Sequence, residues 1–275
     1  MGRGFSLSIG LNNVDPMQYK GKYRALRNAE NDAAFYHDIA VKKGFTTRQL
    51  LGSDATSTNL LDSLKKLAQQ MLSGDLLLIS YSGHGSRVRD LNGDEADGYD
   101  EVLVLYDRLF VDDEFQLCWE KFRAGVRIFF INDSCYNGSV TKAFEVLNKL
   151  RTDAAPDYIL RGLDASEVAI DFNRNMAYYK GIKAGTEGKT ITAACSIIHI
   201  GSCQDNQLSD DGLASDRNGK FTLAVRKVYA DGTFKGSYRQ FYETVLQQMP
   251  PWQTPSWDTD AGQPDEAFSN TAFLQ

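Results

Sequence analysis

The hydrophobic positions of this chain come in short runs whose spacing switches between strand-like alternation and helical repeats. Phe5 to Leu11 alternates apolar and small residues, which predicts a strand, and Asn12-Asn13-Val14-Asp15-Pro16 closes it with a loop. From Leu26 to Val41 the residues Leu26, Ala29, Ala33, Ala34, Ile39 and Ala40 fall at helical spacing, with Gly44 placed as a C-terminal cap. Thr46 to Leu51 reads as a second strand. Ser57 or Thr58 then caps a helix that carries Leu60, Leu61, Leu64, Leu67, Ala68 and Met71 and stops at Gly74.

Two more strongly apolar runs follow, Leu76 to Ser82 and Val126 to Asp133, and each ends in a short polar turn. Between them an acidic loop from Asp90 to Glu101 leads into Val102 to Tyr106, and a helix starts at Asp112 or Asp113 and runs toward Phe122. This β-α-β-α-β order predicts a three-layer α/β domain, with a mostly parallel central sheet flanked by helices on both faces. Residues 140–189 break the pattern. They mix helical patches (Ala143 to Leu150, Ser166 to Tyr178) with polar stretches and read as a mobile insertion, rich in lysine and arginine. Thr190 to Ser202 is strand-like again, Phe221 to Val228 and Tyr238 to Met249 are helical, and the tail from Pro250 adds an edge strand. The 275 residues fit one domain with that insertion.

Composition narrows the function. Acidic residues outnumber basic ones, 36 to 30, for a net charge of -6, which argues against nucleic acid as a partner. No apolar stretch approaches the ~20 residues a membrane helix needs. Four cysteines without a metal-like spacing to the three histidines fit a reducing, cytoplasmic setting.

Chemistry concentrates at the ends of the two apolar runs. His84 stands between Gly83 and Gly85, which free the backbone for a tight turn and leave N–H groups able to meet a ligand. Cys135 follows Asp133-Ser134 at the end of the other run. The remaining candidates, His37 and His199, Cys118, Cys195 and Cys203, sit inside helices or strands, where packing is the plainer explanation. Were the two runs neighbouring parallel strands, both tips would share one sheet edge, where open α/β sheets bind ligands. A thiol, an imidazole to carry its proton, and the N–H groups of Gly85 and Cys135 for an oxyanion are the parts of a cysteine hydrolase.

Tyr81-Ser82-Gly83-His84-Gly85 and Asp133-Ser134-Cys135 resemble the catalytic segments of caspase-like cysteine peptidases, in particular the bacterial metacaspase-like branch, the orthocaspases. Asn31-Asp32, Asp97 to Glu101, Val111 to Glu114, Cys203 to Gln207 and Gln253-Thr254-Pro255 match that group in order and spacing. The resemblance implies a caspase-type fold, a Cys135-His84 dyad with Gly85, and protein or peptide substrates cut after Arg or Lys. An acidic pocket shaped by Asp32, Ser82, Asp133 and Asp205 would select the cation, and a basic residue of the insertion would block the pocket or be cut there. It also implies a monomer.

Calcium is a secondary expectation and no cofactor is required. Asp90, Asn92, Asp94 and Glu101 take EF-hand-like positions, but Glu95 stands where glycine is needed. Asp100, Asp112 and Asp113 instead match three aspartates of the metacaspase calcium site, whose fourth position is Lys142 here. Tyr136-Asn137 also departs from the usual residues after the nucleophile. These departures keep a second class open, a catalytically silent caspase-like binding or calcium-sensing module.

Overall fold

The computed structural model describes residues 2–91, 93, 98–135, 159–186, 193–204, 207–213, 215–259 and 266–274. Its centre is a six-stranded sheet in the order β2-β1-β3-β7-β8-β9. The strands are β1 (Gly4–Gly10), β2 (Thr46–Leu51), β3 (Leu76–Ser82), β7 (Arg127–Asp133), β8 (Ser196–Gly201) and β9 (Ser256–Asp258). All neighbours pair parallel except β8 with β9; β9 is the edge strand expected of the tail, and it runs antiparallel.

Alternation along the strands builds two cores. Phe5, Leu7, Ile9, Leu77, Ile79, Tyr81, Ile128 and Phe130 face one side and pack with Leu60 and Leu64 of α3 (Ser57–Gln70) and Phe115 and Trp119 of α4 (Asp112–Trp119). Leu76, Leu78, Phe129, Ile131, Ile198 and Ile200 face the other side. They meet Tyr36 and Ile39 of α2 (Ala29–Lys42), Phe221 and Val225 of α7 (Lys220–Tyr229), and Phe241 and Val245 of α8 (Tyr238–Gln248). Burial on both faces explains why β3 and β7 read as unbroken apolar runs. A short α1 (Pro16–Tyr19) and α9 (Glu266–Asn270) complete the outer layer.

Three features depart from the sequence expectations. Thr56 caps α3, accepting from Asn59 N, because Ser57 is taken by Asp107, which accepts from both its N and Oγ at 2.7 Å. A second, antiparallel sheet of β4 (Gly85–Arg89), β5 (Tyr99–Val104) and β6 (Leu109–Val111) begins directly after His84 and takes in the end of the acidic stretch read as a loop. Part of the predicted mobile insertion is ordered: α5 (Ala165–Arg174) and α6 (Met176–Thr186) pack Val168, Phe172 and Tyr179 onto Val88, Val102, Val104, Leu109 and Val111 of this second sheet. The break between the two helices falls at Asn175. Residues 140–158 and 187–189 lie outside the described residues, as do Tyr136, Asn137, Lys142, Asn92 and Asp94. Among the described residues no helix is long and apolar enough to cross a membrane.

Candidate active site

The parallel register of β3 and β7 sets Ser82 opposite Asp133, so His84 and Cys135, each two residues further on, emerge side by side at the carboxyl edge. Gly85 cannot be replaced here without movement, since a Cβ would lie 2.5 Å from the Cys135 carbonyl oxygen. The His84 and Cys135 side chains are both buried. His84 Nε2 lies 2.7 Å from the Arg24 carbonyl oxygen, which can only accept, so this nitrogen carries the proton. Nδ1 lies 3.2 Å from the Arg161 carbonyl oxygen, which also can only accept; a neutral ring has one N–H, the shorter contact at Nε2 holds it, and Nδ1 makes a hydrogen bond to Arg161 only when the ring takes up a second proton. Burial lowers the His84 pKa, outweighing the two carbonyl contacts, and favours the neutral ring. The Cys135 thiol donates to the Gln207 carbonyl at 2.8 Å. Cys203 is buried beside it, and the hydrogen bond between the two thiols together with burial holds the Cys203 pKa well above its ordinary value.

A stretch of the same chain runs through this crevice as an extended strand. Asp211 N donates to the Ile159 carbonyl (2.9 Å), Arg161 N donates to the Ser209 carbonyl (3.0 Å), and Leu160 bridges Asp210 antiparallel. On the other side Gly85 N donates to the Arg161 carbonyl at 2.9 Å and Leu163 N donates to the Gly85 carbonyl at 3.0 Å. This is strand addition, the mode in which extended peptides bind sheet edges. It sets the peptide bond from Arg161 to Gly162 between the two tips. The Arg161 oxygen accepts from Gly85 N–H and lies 3.2 Å from the unprotonated His84 Nδ1, and a Cβ on Gly162 would stand 3.3 Å from Cys135 Sγ.

The Arg161 side chain is fully buried in a carboxylate pocket. Its Nη2 donates to Asp32 Oδ2 (2.5 Å) and Asp211 Oδ1 (2.8 Å), its Nε to Asp211 Oδ1 (3.1 Å), and its Nη1 to the Asp133 carbonyl (2.9 Å), with Asp133 Oδ1 also at 2.9 Å. Each carboxylate is oriented by other donors. Asn218 and Gly219 N hold Asp32, Ser209 and Thr222 hydroxyls hold Asp133, and Arg27 N holds Asp211. Burial opposes the charge of Arg161, yet Asp133, Asp32 and Asp211 outweigh it and keep the guanidinium protonated. Three buried carboxylates share one cation, and the excess shows at Asp32. Its burial, with the charge of Asp133, pushes it up to about 7 against the pull of Arg161.

Of the residues expected to shape this pocket, Asp32 and Asp133 line it. Ser82 is buried at the strand end, but among the described residues its hydroxyl has no hydrogen-bond partner and makes none of the contacts to Arg161. Asp205 lies outside the described residues. Asp211, which the sequence reading missed, makes two of the contacts to the guanidinium. Gly219 was missed too: a Cβ there would sit 2.5 Å from Arg161 Nη2, so the pocket has room for the guanidinium because this residue is glycine. The signal for Asp211 was the pair Asp210-Asp211, a doubled acid shortly after the β8 end.

Comparison with known proteins places this geometry. A family model, the caspase domain, matches residues 4–264. The chain belongs to the caspase family. Within it the chain is similar to metacaspase-1B of Aspergillus oryzae, 29% identical over 283 residues that cover 90% of this chain and 61% of the relative. It is also similar to metacaspase-1 of Arabidopsis thaliana, 30% identical over 197 residues, covering 70% of this chain and 45% of the relative. The chain thus spans about half to three fifths of the length of these curated relatives. Among solved structures, protein GSU0716 from Geobacter sulfurreducens is 37% identical with a TM-score of 0.83, covering 98% of this chain and 97% of that one. Caspase-1 from Spodoptera frugiperda shares the fold at 11% identity and a TM-score of 0.56, covering 95% and 88%. The mostly parallel sheet with helices on both faces is the caspase fold.

A second acidic cluster of this caspase-family chain lies at the junction of β5 and α4. Asp100, Asp112 and Asp113 bring one carboxylate oxygen each within 4.8 Å of one another. These are the three residues singled out for calcium. The Lys183 ammonium of α6 is seated against Asp100 at 2.9 Å and against Asp113. An ammonium there repels a divalent cation, so the residues present do not fit a resident calcium ion.

Proposed function

We propose that this chain is a cysteine endopeptidase that cleaves after arginine or lysine, with Cys135 as nucleophile and His84 as proton carrier, and that the bond from Arg161 to Gly162 is its first substrate. The observation that carries the reading is the seating of Arg161. Its guanidinium fills a three-aspartate pocket while its carbonyl accepts from Gly85 N–H between the thiol and the imidazole.

In the proposed reaction the Cys135 thiol leaves the Gln207 carbonyl and gives its proton to His84 Nδ1, and the sulfur attacks the Arg161 carbonyl carbon. The Gly85 N–H steadies the oxyanion, a contact worth about 3 kcal/mol of barrier at comparable sites. His84 returns the proton to the Gly162 nitrogen as the carbon–nitrogen bond breaks, leaving a thioester on Cys135. Water then attacks the thioester, passing its proton through His84 to the departing sulfur, and a carboxylate is released at Arg161. The thiol, imidazole and N–H groups suffice, so the reaction draws on no cofactor. Until the cut segment leaves, Arg161 excludes other substrates, and after it leaves the same pocket accepts Arg or Lys side chains of protein substrates.

Turnover of fluorogenic peptides ending in Arg, Lys or Asp tests this on the processed protein beside Cys135→Ala and His84→Ala. The reading expects signal from the Arg and Lys peptides alone, lost in both variants. Equal signal from all three proteins would favour the silent binding or calcium-sensing module instead.

A further inference from the structure

The second acidic cluster contains a cation already. Lys183 projects from α6, and its ammonium contacts Asp100 Oδ1 (2.9 Å), Asp113 Oδ2 and Asp90 Oδ1 (3.6 Å). Asp100 accepts a hydrogen bond from the ammonium, Asp113 lies against it, and Asp90 stands in ion-pair range just beyond hydrogen-bond reach. The Lys183 side chain is only 6% exposed, and those of Asp90, Asp100 and Asp113 are 1–2% exposed. An unpaired charge is very costly at that depth, and a paired one is held firmly.

We propose that Lys183 is a tethered cation that fills this carboxylate cage permanently, taking the position a divalent ion would otherwise occupy, and that the cage becomes a divalent-cation site only when the lysine is removed. The argument is one of charge and room. Calcium takes six to eight oxygen ligands at roughly 2.3–2.6 Å, and converging aspartates such as Asp100, Asp112 and Asp113 are the usual core of such a set. Lys183 stands at the oxygens that the ion would need, and its like charge opposes entry. Its own protonation is secure: burial pulls its pKa down, but the hydrogen bonds and charges of Asp113 and Asp100 more than compensate and raise it. Burial raises Asp100 to about 6 even against the pull of Lys183, with the charges of Asp113 and Asp90 adding to the rise, as expected where the carboxylates outnumber the single cation. The α6 face that delivers Lys183 is fixed independently, since Tyr179 packs in the core and its hydroxyl donates to the Leu109 carbonyl at 3.1 Å.

The claim concerns cation occupancy and does not depend on peptidase activity. It is tested on the full chain carrying Cys135→Ala, so that the chain stays intact. Isothermal titration with calcium chloride compares this parent with Lys183→Ala and with Lys183→Ala plus Asp100→Asn. The expected result is no saturable binding by the parent at millimolar calcium. Lys183→Ala should gain one site at least roughly tenfold tighter than any parental binding, and Asp100→Asn should abolish it. Parental binding as tight as that of Lys183→Ala, and lost on Asp100→Asn, would overturn the proposal, as would a folded Lys183→Ala that gains no site. Should Lys183→Ala fail to fold, reductive methylation of the parent decides instead. Lys183 should react on the order of tenfold more slowly than the exposed Lys65 and Lys66, and equal rates would refute a caged ammonium.

Discussion

Replacing Arg161 by alanine, in the Cys135→Ala background so that no cleavage intervenes, isolates the energetics of the plugged pocket. The substitution removes five polar contacts and leaves Asp32, Asp133 and Asp211 buried without their cation. Breaking a buried ion pair by deleting one partner costs about 3–5 kcal/mol. Water entering the vacated channel and proton uptake by Asp32, already raised to about 7, bring the expectation toward the lower end. At roughly 2–4 °C per kcal/mol for a domain of this size, the melting temperature should fall by about 6–20 °C. Agmatine, which carries the guanidinium on a free chain, should reverse the loss. At a hundredfold excess over its dissociation constant it restores ~2.7 kcal/mol, and it should leave the plugged parent unaffected. Calorimetry with and without agmatine reads both effects. An Arg161→Ala protein as stable as its parent, or one that agmatine does not stabilise, would refute the pocket assignment.

The same carboxylates set a pH dependence. With Arg161 seated, burial already holds Asp32 up at about 7, and departure of the arginine withdraws the charge that pulls it down, so a substrate cation meets a fully charged pocket only above neutrality. His84, with its pKa lowered, is already neutral at that point. For the processed enzyme kcat/KM on Arg peptides should therefore rise with pH through 7, and Asp32→Asn should lose this limb along with most Arg turnover; a profile flat across neutrality would contradict the assignment. Gly219→Ala places a Cβ 2.5 Å from the guanidinium nitrogen, and since lysine ends in one compact ammonium, Arg peptides should lose at least roughly tenfold more kcat/KM than Lys peptides. Equal losses would show that Gly219 does not bound the pocket.

What the sequence disclosed follows from burial. The runs ending at Ser82 and Asp133 are covered on both faces, so their apolar continuity was visible, and the parallel pairing expected of them brings His84 and Cys135 to one edge. The second sheet was hidden because its strands are short and carry charges, Arg87 and Arg89 on β4 and Glu101 on β5, which local pattern assigns to loops. Long-range charge was harder still. Arg161 lies 50 positions from Asp211 and 129 from Asp32, and nothing local marks it among the basic residues of 140–189 as the one that enters the pocket. Lys183 was equally silent, since it meets Asp100 across 83 positions and lies beyond the helical patch read at Ser166 to Tyr178, among the basic residues of the insertion. Both cations belong to the stretch taken for a mobile insertion, whose described part instead carries the contacts that fill the two acidic clusters.

The central claim is that Arg161 is held as a substrate of the site it blocks. Intact-mass measurement of the purified protein beside its Cys135→Ala variant, with the new ends sequenced, tests this directly. The account predicts a wild-type chain cut between Arg161 and Gly162 and an uncut variant. A wild-type chain that stays whole under conditions where it turns over Arg peptides, or a cut at that bond that persists in Cys135→Ala, would contradict it.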